Sequence, residues 1–93
     1  MRLTTIKIVF ASADWRVDSS AEIEEPLDQA LITAGVGEIV SGGAGPDGVF
    51  FNVEVKDLAT GLAVIQQALR DLGVPRSTRI EGPDGQHPVF EEL

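Results

Sequence analysis

The sequence has no cysteine and no tyrosine, a single histidine, and seven basic residues against fifteen acidic ones. Without cysteine there can be no disulfide framework, no thiolate metal site and no cysteine nucleophile. This fits a reducing compartment, and a cytoplasmic location is expected. His87 has no second imidazole or thiolate with which to build a zinc ligand set, so it reads as a solvated loop residue, and neither metal nor cofactor is expected. Acid–base chemistry would fall to carboxylates, Lys7, Lys56 or His87, and no Gly-x-Ser-x-Gly nucleophile elbow is present. The expectation is a protein that is not an enzyme, with no catalytic residues to assign. No apolar run approaches the roughly 18 residues of a membrane span. The apolar part of Met1–Lys7 is too short for a signal peptide. The formal net charge of −8 opposes binding to nucleic acid and to anionic membranes. The charge either keeps the chain soluble or steers it toward a basic partner.

What the chain does have is pattern. Its 93 residues, 43% of them hydrophobic, make one domain over 1–93 with enough apolar material for a core. Val49, Phe51, Val53 and Val55 alternate with Phe50, Asn52 and Glu54, the strongest strand signal present. Ile6, Ile8 and Phe10 alternate in the same way and give a first strand near residues 3–10. Gly37–Ser41 is a weaker strand. The following Gly42–Gly48 tract reads as a hairpin loop, because Pro46-Asp47-Gly48 is turn chemistry. A phosphate cradle would need the loop to run from strand to helix, with a Gly-Lys-Ser/Thr that is absent.

The first helix has apolar residues at Ile23, Leu27, Ala30, Leu31 and Ala34. Ser19 and Glu22 have capping-box spacing, but Pro26 would then lie inside the helix. The expected start is residue 23 or 24, which puts Pro26 in the first turn. In the second helix Leu58, Leu62, Ile65, Leu69 and Leu72 form a stripe behind Asp57, a good N-cap. Gly73, Val74 and Pro75 then form a Schellman-type ending. Ser77–Glu81 is a short strand, Gly82–Gly85 a turn, and residues 86–90 a last extended segment before the acidic Glu91-Glu92-Leu93 end.

The order β-α-β-β-α-β predicts an α+β fold: a four-stranded antiparallel sheet with both helices on one face. It resembles the ferredoxin-like fold over nearly the whole chain. The Gly-Glu-Ile-Val-Ser-Gly-Gly-Ala-Gly segment, the Asn-Val-Glu-Val-Lys-Asp strand end and the Leu-Gly-Val-Pro after the second helix resemble small uncharacterised bacterial ferredoxin-like proteins. Some small acidic proteins of that layout are thought to be immunity proteins that neutralise a toxin. The resemblance implies a fold and, through the immunity proteins, a protein partner.

Two surfaces are candidates for function. Glu22, Glu24, Glu25 and Asp28 cluster at the first helix start, where the helix dipole favours them, with Trp15 in the loop before it. Trp15 either caps the core or anchors a partner. Phe50 and Val9 read outward on the uncovered sheet face, a partly apolar patch that suits association, including a homodimer. Glu38 and Glu54 lie on that face too and read as solvated. The expected function is that of a non-catalytic acidic interaction module binding a basic protein, with Trp15, Glu22, Glu24, Glu25, Asp28 and Phe50 as contact residues. The alternative is a regulatory domain that binds a small molecule through the sheet face and the glycine-rich hairpin.

Overall fold

Alternation puts Ile6, Ile8 and Phe10 on one side of the first strand, and Phe51, Val53 and Val55 on the same side of its neighbour. All six are buried. A computed structural model describes residues 3–11, 21–45, 48–74, 77–87 and 89. The elements are β1 (Thr4–Ala11), α1 (Ala21–Ala34), β2 (Gly37–Gly45), β3 (Gly48–Val55), α2 (Leu58–Leu72), β4 (Arg79–Gly82) and β5 (Gly85–His87). Trp15, Ser19, Pro75 and the end at 91–93 lie outside the described residues.

The sheet has five strands in the order β2-β3-β1-β4-β5, and every neighbouring pair is antiparallel. The expected four-stranded ferredoxin-like sheet is therefore incorrect, although the α+β class is observed. The extra strand arises at Gly82–Gly85. Gly85 takes φ +126°, which is open to glycine, and the chain turns back on β4. Gln86 then faces Glu81 and His87 faces Ile80. The turn is evident in the sequence, and the last extended segment expected over residues 86–90 overlaps this strand at Gln86-His87, but its pairing with β4 as a fifth strand is not part of the expected sheet.

One core lies between the sheet and both helices. Ile23, Leu27 and Leu31 from α1 and Leu62, Ile65 and Leu69 from α2 join the inward residues of β1 and β3, with Ile80 from β4. Phe10 and Phe51 meet edge-to-face at a centroid separation of 5.7 Å. Gly61 brings α2 close to the sheet, because a Cβ there would stand 2.6 Å from Val55 Cγ1.

Two boundaries differ from the sequence expectation. Helix α1 begins at Ala21, so Pro26 lies inside it. Pro26 lacks the N–H that would reach the Glu22 carbonyl, but it sits on the exposed face. Ile23 and Leu27, on the neighbouring flank of the helix, are buried in the core. Strand β2 runs on to Gly45 and absorbs most of the glycine tract expected to form the hairpin loop. A Cβ added at Gly42 would meet the Phe51 ring at 2.9 Å, and one added at Gly43 would meet the Phe50 ring at 3.0 Å. The two aromatic rings stand against the glycines and leave no room for a side chain on that side.

Candidate functional site

Strand β2 is one edge of the sheet, and α1 runs beside it. Glu24, Asp28 and Ile32 follow one another at i, i+4 and i+8 and so share one side of the helix. Each meets a different part of β2. Glu24 borders a groove of about 410 Å³ with Gly42, Gly43, Ala44, Val49 and Phe51. Asp28 Oδ1 accepts the Ile39 backbone N–H at 3.0 Å. Ile32 borders a second hollow, of about 280 Å³, with Leu3, Gly35, Gly37, Glu38, Glu54 and Lys56.

Asp28 is thus occupied in holding the edge strand to the helix. That bond satisfies an edge amide which would otherwise be open to another chain. A second edge device stands next to it: the β2–β3 register slips between Ile39 and Ser41, a bulge at Val40. Val40, Ile32 and Leu3 are the exposed large hydrophobics among the described residues. Glu38 and Glu54 are directly opposed across β2 and β3.

The sheet face away from the helices carries a different site. Lys7, Val9, Phe50, Arg79 and Glu81, with Gly45 and Gly48 of the hairpin, border a depression of about 220 Å³. Phe50 and Val9 pair across β3 and β1, and Val9 pairs with Arg79 on β4. The Lys7 ammonium lies 4.8 Å from the Phe50 ring centroid, a cation–π contact. Phe50 is half-buried, and Val9 is only 9% exposed although it belongs to the outer face. Ser41 Oγ accepts from Asn52 Nδ2 at 3.0 Å on the same face.

The structure therefore brings Glu24 and Asp28 together along the β2 edge and leaves Phe50 on the opposite side of the sheet. Glu22 and Glu25 are exposed on α1. Trp15 lies outside the described residues, so nothing joins it to either surface. The backbone of Ile39 is not a candidate on sequence grounds, and Gly42 and Ala44 enter only through the glycine-rich hairpin of the small-molecule alternative. No side-chain pattern announces it; the only signal is a glycine tract long enough to continue a strand.

His87 is not the free loop residue expected. It ends β5 and its Nε2 lies 2.8 Å from Asp84 Oδ1. Its contact holds the Asp84 carboxyl below the ordinary value of 3.8. Among the described residues no group of three or more His, Cys, Asp or Glu side chains is placed to hold a metal ion. No described helix is long and apolar enough to cross a membrane. Comparison with protein-family models, curated proteins and solved structures found no match for this chain.

Proposed function

We propose that the chain is a non-catalytic interaction module that binds a basic protein along the α1–β2 side, in the cytoplasm. The observation that carries this reading is the row of α1 residues flanking an open sheet edge, with Glu24 facing the groove and Glu25 and Glu22 exposed beside it. The net charge of −8 adds long-range attraction for such a partner. Exposed Ile32 and Val40 supply apolar contact next to the carboxylates.

The test is affinity capture from the source cells with the parent and with the double variant Glu24→Lys/Glu25→Lys. A basic protein retained by the parent and lost with the variant supports the reading. Recovery of the same proteins by both contradicts it.

A second reading has its own observation. The outer depression combines an apolar floor of Val9 and Phe50 with the cations Lys7 and Arg79 and the carboxylate of Glu81, a setting for a small polar ligand with charges of both signs and an apolar body. Its volume of about 220 Å³ limits the ligand to a small one. A metabolite panel read by thermal shift decides it, since a specific ligand raises the melting temperature by mass action.

A further inference from the structure

Two contacts set the phase of the β2–β3 ladder. Lys56 N–H donates to Val36 O at 2.9 Å, so the pair just before β2 is a bonded one. Ile39 N–H donates to Asp28 Oδ1, away from β3. An antiparallel ladder alternates bonded and non-bonded pairs. Glu38 and Glu54 therefore form a bonded pair, and so does Asn52 with Ser41 beyond the bulge. Continuing along the register, Gly43 bonds with Phe50, and Gly45 with Gly48 at the hairpin end. Gly42 and Ala44, opposite Phe51 and Val49, turn their N–H and C=O groups outward.

These outward groups lie beside the groove bordered by Glu24, and both residues are exposed. The first half of the edge is closed by Asp28 and the bulge, while among the described residues the second half has neither device. An edge of this kind accepts an added strand, whose main chain supplies affinity and whose alternate side chains supply specificity.

We infer that the partner binds by adding an extended segment to β2 at Gly42–Ala44, with a basic side chain directed at Glu24. This deepens the reading of the chain as a module for a basic protein, and rests on it. A second copy of the chain is the weaker occupant, because it brings another net charge of −8 and its own α1 carboxylates to the same groove.

The probe is the capped peptide (Lys-Val)3, with (Glu-Val)3 as its acidic counterpart, titrated into the full chain by NMR. The expected result is saturable binding of the lysine peptide alone, with about tenfold protection of the Gly42 and Ala44 amides from hydrogen exchange. Ala44→Pro removes one outward N–H at an edge position where proline is tolerated. It should weaken binding by about tenfold. Glu24→Gln keeps every backbone group and should weaken it by a smaller factor. Binding without protection at Gly42 and Ala44, or undiminished in Ala44→Pro, overturns strand addition but leaves the basic-partner reading standing. Equal binding of both peptides removes the basic-partner reading. No saturable binding of the lysine peptide overturns strand addition, and the capture experiment then decides the broader reading by itself.

Discussion

Gly61 and Thr78 show how a single atom can decide the sign of a substitution. On helix propensity alone, Gly61→Ala would stabilise α2 by about 1 kcal/mol. The added Cβ, however, would stand 2.6 Å from Val55 Cγ1 and 2.7 Å from its Cβ. Both elements are held by the core, so overpacking wins, and the variant should lose about 1–3 kcal/mol in denaturant unfolding. A stabilised variant would mean that α2 stands further from β3 than this contact requires. Thr78 presents the opposite case. It is buried, and its hydroxyl has no hydrogen-bond partner among the described residues. Thr78→Val replaces the hydroxyl by a methyl group of similar size and relieves an unmet desolvation penalty of about 1–3 kcal/mol. The expected outcome is a higher melting temperature; a lower one would reveal a partner for the hydroxyl.

Helix α2 is legible in the sequence because each of its signals is local. Asp57 accepts from Thr60 N–H at 2.9 Å and from its hydroxyl at 2.8 Å. At the other end Gly73, at φ 70°, donates to Arg70 O, and Val74 donates to Leu69 O. Leu62→Ala, on the buried stripe, should cost about 2–5 kcal/mol through the cavity it leaves. The cap also gives a pH signature. Its two Thr60 bonds hold the Asp57 carboxyl below 3.8. A lowered folded value means that the contribution is complete above the unfolded pKa and is lost as pH falls through the folded one. Asp57→Ala should therefore melt below the parent at pH 7, with the gap closing as the pH falls below 3.8. A gap independent of pH would show that the carboxylate does not cap the helix.

Other elements depend on distant residues and are not legible in the same way. Helix α1 starts at Ala21, ahead of the residue 23 or 24 that the proline signal favours. The glycines of β2 lie against Phe50 and Phe51 of the neighbouring strand, a contact that no local pattern announces. Strand β5 exists only because β4 offers it an edge. The same limit applies to the candidate site. Composition and spacing make the α1 carboxylates a visible cluster, yet only the packing of α1 beside β2 gives Asp28 a structural bond and Glu24 a groove.

For the whole molecule, charge and topology point to the same side. The net charge of −8 acts over the Debye length of about 8–10 Å, far enough to guide an approaching basic protein. The sheet's order leaves β2 as the edge nearest α1, so on the proposed reading a basic segment drawn to the α1 carboxylates would meet that edge. Reversing Glu24 and Glu25 should barely alter folding, because exposed charges near a helix start are worth about 0.3–1 kcal/mol each. The most direct measurement is the association rate with the captured partner across ionic strengths, for the parent and for Glu24→Lys/Glu25→Lys. A basic partner guided to the α1–β2 side predicts a parent rate that falls steeply with salt, and a variant that is slower and less sensitive to salt. A parent rate indifferent to salt, or a variant that associates as fast as the parent, would contradict it and leave the acidic surface a matter of solubility alone.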